Sequence, residues 1–323
     1  MTTLVLNELE VTEHLPMAEC IEAMAGALGA LARGEVHMPL RSVVRGGGTP
    51  GLLGLMPAHR DGDQPVFSLK SVCVFPGNPA RGLDAHQGTV TLFDGETGVP
   101  TAILNGSAVT AIRTAAVTAL ATRLLAREDA QTLAILGSGV QARAHLRALS
   151  EVRPFTAVRV HSPNAEHARA FAAETGADAA TSAEEAVDQA DVVVLATNSK
   201  DPVLECAWLA PGTHVNAIGA SIPSARELDT ATIAVSELFV DSRESAANEA
   251  GDYRLALQEK AIPGPEHILA ELGEVVIGAH LGRSAPDALT VFRSLGLAVE
   301  DLAAAELCVE RARRAGAGTE VDL

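Results

Sequence analysis

Across residues 41–106, short apolar runs alternate with turn-forming residues. The runs are 41–45 (RSVVR), 51–59 (GLLGLMPAH), 66–75 (VFSLKSVCVF), 88–94 (GTVTLFD) and 100–106 (PTAILNG). Their lengths predict strands, and Asp94-Gly95-Glu96-Thr97-Gly98 between two of them predicts a hairpin loop, so this region reads as a mostly antiparallel sheet. Apolar residues return at helical period over residues 16–33 and over the alanine-rich stretch 110–125. From Gln131 the rhythm changes to strand, helix, strand, with the runs TLAILG, AVRVHS, DVVVLAT, HVNAIGA and ELFVDS separated by helical stretches. Strands that are apolar throughout, with helices between them, predict a parallel sheet covered on both faces. Residues 297–314 are again helical by period, and 315–323 read as a frayed tail.

Length and charge narrow the classes. A chain of 323 residues exceeds what one core usually holds, which predicts two domains. The expected fold is α/β, with a Rossmann-type parallel-sheet domain over 119–296 inserted in an α+β domain built from 1–118 and 297–323. No apolar run approaches the length of a membrane span and residues 1–15 lack a leader pattern, so a cytoplasmic protein is expected. A net charge of −17 opposes general attraction to nucleic acid or anionic lipid. The four cysteines stand far apart without a C-x-x-C pair, which fits reduced thiols and gives no metal site.

The candidate chemistry begins at Gly137-Ser138-Gly139-Val140-Gln141-Ala142, which follows an apolar strand and opens a helix. That is the setting of a dinucleotide fingerprint. Gly137 permits the tight turn, Gly139 admits a pyrophosphate, and Ala142 lets the helix lie close to the sheet. The next strand ends in His161-Ser162-Pro163-Asn164 without the acid that would accept from a ribose 2′-hydroxyl. A 2′-phosphate meets no repulsion there, and Ser162 and Asn164 can donate to it, so NADPH is expected, with NADH accepted. Thr114, Thr197 and Ser221 complete the expected cofactor set with Val140 and Gln141.

Basic residues supply the other half. Only Lys70, Lys200 and Lys260 are lysines among 24 basic residues, and Lys70 sits on the strand face shared by Val66, Val72 and Val74. An ammonium there is costly unless it faces an anion, which suits a carboxylate or imine nitrogen as its partner; the alternative is a lysine reaching out from a sheet edge. Arg113 is placed in the first turn of the helix from Thr110, where a bound carboxylate would offset the macrodipole. Arg41 or Arg45 can face inwards from the strand after Pro39.

Several segments resemble the ornithine cyclodeaminase and mu-crystallin family, most closely its mu-crystallin (ketimine reductase) branch. They are LGLMPAH (53–59), LKSVCVFPGNPARGL (69–83), AIRTAAVTALAT (111–122), ILGSGVQA (135–142), HVNAIGAS (214–221), RELD (226–229), VDSRESAANEAGD (240–252) and FRSLGLAVED (292–301). The resemblance implies a homodimer whose outer domain binds substrate and dimerises, with Lys70, Arg41 and Arg113 as the carboxylate-binding and catalytic basic residues. It departs from the cyclodeaminases at Gly54 and Ser221, where those enzymes carry a glutamate and an aspartate. Reduction of a small imine carboxylate, such as 1-pyrroline-2-carboxylate or 1-piperideine-2-carboxylate, is therefore expected, with Met56 and Leu295 shaping the substrate pocket. The alternatives are an amino acid dehydrogenase or cyclodeaminase of the same family, and a mu-crystallin-like nucleotide- or hormone-binding protein with little turnover.

Overall fold

The structure is a computed structural model that describes residues 2–48 and 50–323. Two compact units divide it: Met1–Ala116 with Leu297–Leu323, and Val117–Gly296. The first segment runs β1 (Thr2–Leu6), α1 (Glu8–His14), α2 (Met17–Ala32), β2 (Val36–His37), β3 (Ser42–Arg45), β4 (Leu52–Arg60), β5 (Val66–Val74), β6 (His86–Asp94), β7 (Pro100–Asn105) and α3 (Gly106–Leu125). Asp94 closes the β6–β7 hairpin by accepting from the backbone N–H groups of Glu96 and Thr97, and Gly98 takes the left-handed conformation that ends the turn. Pro57 sits in β4 between the residues that pair with β3 and those that pair with β2, so its missing N–H interrupts no ladder on that edge.

The second unit runs β8 (Thr132–Leu136), α4 (Val140–Ser150), β9 (Ala157–His161), α5 (Ala165–Thr175), β10 (Asp178–Ala179), α6 (Ala183–Val187), β11 (Val192–Leu195), β12 (His214–Ala217), α7 (Thr230–Val235), β13 (Glu237–Val240), α8 (Arg243–Glu249), α9 (Gly251–Gln258), β14 (Ile268–Glu271), α10 (Leu272–Val276) and β15 (Thr290–Arg293). All its strands pair in parallel, in the order β10-β9-β8-β11-β12-β15-β13-β14. This is the α/β Rossmann-type sheet expected. The order reverses between β8 and β11, and a ligand of such a sheet binds in the crevice outside the carboxyl ends of those two strands. Val192, Val193, Val194 and Leu195 are wholly buried, as a strand covered on both faces requires.

The chain then returns to the first unit through α11 (Ala298–Ala315) and β16 (Thr319–Asp322). The first sheet has the order β16-β1-β7-β6-β5-β4-β2, with β3 also on β4, and is antiparallel except for the β1–β7 pair. Its buried face carries Met56, Ala58, Val66, Ser68, Lys70, Val90, Leu92, Ala102 and Leu104. α11 packs across β4, β5 and β6 and against α2.

Two expectations fail. Residues 319–322 are not a frayed tail but an antiparallel partner of β1, from Thr2↔Asp322 to Val5↔Thr319. A short polar strand that pairs through its backbone leaves no apolar pattern in the sequence. The helix expected from Thr110 begins at Gly106, where the Asn105 side chain accepts from the Ala108 N–H at 2.9 Å. Arg113 therefore lies two turns inside the helix, beyond reach of its N-terminal partial charge.

Candidate active site

The first unit builds a cluster of charged groups in its interior. Lys70 is 3% exposed on β5, cross-strand from Met56 on β4, and its Nζ lies 2.7 Å from Asp301 Oδ2. Arg113 Nε donates to the other oxygen of Asp301 at 2.9 Å, and its Nη1 donates to Glu300 Oε2 at 2.8 Å. Glu300 and Asp301 stand in the first turn of α11, where the helix dipole favours carboxylates. The dipole that sequence reasoning placed under Arg113 thus acts through its counter-ions. Two cations and two anions balance within this interior. Removing one member of such a buried set costs about 3 to 5 kcal/mol, because its partner is left uncompensated.

Burial pushes the Lys70 ammonium down to about 8; Asp301 opposes this, while the charges of Arg113 and Arg41 add to it. Arg41 is half-buried immediately before β3, whereas Arg45 is exposed. Of the two candidates on that segment, Arg41 is the one whose charge bears on Lys70. Met56 is buried on the same sheet face. Two residues here were missed by sequence reasoning, Glu300 and Asp301. They lay inside the family-like segment 292–301, where an acidic pair at the start of a predicted helix reads as ordinary helix-terminus chemistry. His86, at the start of β6, was also passed over. Its imidazole is held below its usual value by desolvation, with Asp84 opposing and Lys70 and Arg113 adding to the effect. Cys20 joins the cluster as an inert thiol, pushed by burial up to about 12.

The second unit offers the nucleotide crevice. Gly137 has φ 117°, and a Cβ there would lie 2.3 Å from the Ala196 carbonyl oxygen, so only glycine lets the ends of β8 and β11 approach. Gly139 caps α4 with extended backbone and no side-chain bond, and a Cβ on it would meet nothing within 4 Å. That open space lies beside the unpaired N–H groups of the helix start, as a pyrophosphate requires. Val140 is 59% exposed at the first helical position, and Gln141 Oε1 is buried without a hydrogen-bond partner among the described residues. Ser162 is half-buried after β9. Asn164 caps α5 through its side-chain oxygen, which accepts from Glu166 N and His167 N, leaving its amide N–H groups to donate. These features fit a dinucleotide.

The remaining expected residues are placed as follows. Thr114 donates its hydroxyl to the Thr110 carbonyl at 2.6 Å. Thr197 donates to Glu227 at 2.7 Å, and Ser221 is half-buried in the loop after β12. Leu295 is 5% exposed and packs in the hydrophobic core of the second unit. Its backbone N–H is held by Asp241.

A profile of the ornithine cyclodeaminase/mu-crystallin family matches residues 1–316. The chain belongs to that family. Ketimine reductase mu-crystallin of Mus musculus is 39% identical to it over 308 residues, covering 94% of this chain and 95% of the mouse protein. Among solved structures, Thermococcus litoralis Δ1-pyrroline-2-carboxylate reductase, in complex with NADH and L-proline, superposes with a TM-score of 0.94 at 36% identity, covering 99% of this chain and 100% of that one. An archaeal alanine dehydrogenase dimer with bound NAD gives a TM-score of 0.93 at 33% identity over the whole of both chains. Within the family, this member has Gly54 on the buried face of β4, where a Cβ would make an ordinary 3.5 Å contact with Val72.

Proposed function

We propose that the protein uses NAD(P)H to reduce the C=N bond of a small imino carboxylate, such as 1-pyrroline-2-carboxylate or 1-piperideine-2-carboxylate, to the L-amino acid. The observation that carries this reading is the buried Lys70, which shares Asp301 with Arg113 and feels the charge of Arg41. Imine reduction adds a hydride to carbon and a proton to nitrogen. A reduced nicotinamide, held by Gly137, Gly139 and the N–H groups of α4, would supply the hydride.

The chain's own groups do the rest. Arg41 and Arg113 attract the substrate carboxylate and fix the orientation of the C=N group. Lys70 donates the proton to nitrogen and recovers it from solvent. A lysine near 8 is mostly protonated at neutral pH, yet gives up its proton more readily than an ordinary lysine. Neither Gly54 nor Ser221 offers a carboxylate to a second substrate ammonium, which argues against ornithine cyclisation.

NADPH is the preferred nucleotide in this reading because no acid stands at residues 161–164, and NADH is accepted. We place the enzyme in the cytoplasm as a homodimer; its net charge of −17 disfavours nucleic acid and anionic membranes as partners. The second reading is an amino acid dehydrogenase, favoured by the likeness to the archaeal alanine dehydrogenase. A panel of cyclic and open-chain imino acids, pyruvate with ammonia, and ornithine, each with NADPH and NADH, separates these readings. Turnover of cyclic imines supports the first; turnover confined to pyruvate with ammonia supports the second.

A further inference from the structure

At the carboxyl edge of the parallel sheet, one carboxylate ties two loops together. Glu227 is 0% exposed. Its Oε1 accepts from the Thr197 N–H at 2.9 Å and from the Thr197 hydroxyl at 2.7 Å, in the loop after β11. Its Oε2 accepts from the N–H groups of Gly219 at 2.6 Å and Ala220 at 3.2 Å, in the loop after β12. A Cβ at Gly219 would lie 2.1 Å from the Thr197 carbonyl oxygen and 2.5 Å from Glu227, so the closeness of the loops depends on glycine there.

The glutamate is itself braced from behind. Asp252 Oδ1 accepts from the backbone N–H groups of Glu227 and Leu228, at 2.7 and 2.9 Å. Its other oxygen pairs with Arg293 Nε at 2.8 Å, and Arg293 donates onward to the carbonyls of Ala217 and Ala220.

We propose that Glu227 is a positioning residue for the nucleotide: its carboxylate clamps the loops after β11 and β12 in the conformation that receives the dinucleotide, and a proton on it releases the clamp. This rests on the reading that the second unit binds a nicotinamide dinucleotide. The loops carry Thr197 and Ser221; the loop after β11 borders the point where the strand order reverses, the loop after β12 lies one strand further along the sheet, and Gly137 closes on Ala196 from the β8 side. Three of the carboxylate's four partners are backbone N–H groups, which only donate, and the fourth is the Thr197 hydroxyl. A proton on Oε2 would face two N–H groups and open that arm; a proton on Oε1 would turn to the Thr197 hydroxyl, which then no longer donates to the carboxylate, so either way the clamp loses a bond from a buried donor. The charged groups that face Glu227 are Arg293, which favours its ionised form, and Asp252, which opposes it. Burial, with Asp252 adding to it, outweighs Arg293 and the hydrogen bonds from Thr197 and pushes the group up to about 7. The clamp is thus closed above neutrality and opens below it.

The test titrates NADH binding by its fluorescence from pH 6 to 8.5, for the wild type and for Glu227→Gln, with thermal melting as the check on folding. If only the ionised form binds well, wild-type affinity falls about tenfold between pH 8 and pH 6, following the ionised fraction. Calorimetry in two buffers of different ionisation heat should show proton release on binding near neutrality. Glu227→Gln keeps one acceptor and turns the other arm into a donor facing donors. It should bind NADH about tenfold more weakly at pH 8, with no pH dependence. A purely structural glutamate would lower the melting temperature and leave the slope of affinity against pH unchanged. Wild-type affinity that is flat over this range, or a Gln variant that retains both affinity and slope, overturns the clamp. If the variant does not fold, the wild-type profile and proton release decide alone. A wild type that binds neither NADH nor NADPH at any pH overturns the nucleotide reading, and the clamp with it.

Discussion

At the residue scale, the proposed chemistry turns on one shared carboxylate. Asp301 raises the affinity of Lys70 for its proton against the burial that lowers it. If the ammonium is the proton donor, kcat/KM falls as pH rises through about 8, and Asp301→Asn moves that limb to lower pH. A limb that stays in place shows that another group is titrating. Lys70→Met should lower kcat by about a hundredfold or more, as loss of a general acid does, with NADPH affinity nearly unchanged. Full imine reductase activity in that variant would move the chemistry elsewhere. Ser162→Asp adds the missing 2′-hydroxyl acceptor and repels a 2′-phosphate, so the kcat/KM ratio should shift towards NADH; an unchanged ratio excludes Ser162 as the determinant. The burial of Lys70 was legible in the sequence because it shares a period-2 face with valines. Its counter-ion was not, since the carboxylates that meet Arg113 come from 187 and 188 positions further along the chain.

At the element scale, the glycine loop was readable because its chemistry is local: strand, turn and helix start occupy consecutive residues. Gly139→Val tests it. The added side chain points into open space, so the fold should survive with a loss of no more than about 1 kcal/mol, while nucleotide binding is abolished. Undiminished binding by calorimetry would remove the pyrophosphate from this position. Elements stabilised by distant partners were harder to read. The start of α3 was misplaced because its cap, Asn105, ends a strand that an apolar pattern alone extends into Gly106. β16 was taken for a loose end because its pairing with β1 joins the two termini of the chain. Glu227 drew notice only as part of a family-like segment. Its weight comes from two loops and the first turn of α9, which converge on it after folding.

At the scale of the whole molecule, the change of rhythm at Gln131 announced a second architecture, and the return at Leu297 gave the first unit its last helix and edge strand. Buried histidines link that architecture to pH. Burial pushes His214 down to about 3, with the charges of Arg283 and Arg153 adding and its bond to Asn216 opposing. The native state holds this ring neutral while the unfolded chain takes up a proton below about 6.5, so its contribution to stability is present above that pH and lost as pH falls. Between pH 7 and pH 5 the loss is about 2 kcal/mol. His214→Gln should therefore show a smaller fall in unfolding free energy over that interval, by a similar amount, and equal slopes would show that the ring is protonated in the native state. The central claim is a C=N reduction by hydride from a nicotinamide. Its most direct test supplies 1-pyrroline-2-carboxylate with NADPH or NADH carrying two deuteriums at C4 of the nicotinamide, and reads the product by mass spectrometry and NMR. The expected product is L-proline with one deuterium at C2; no labelled proline from either nucleotide, together with proline and ammonia formed from ornithine, would contradict the reduction.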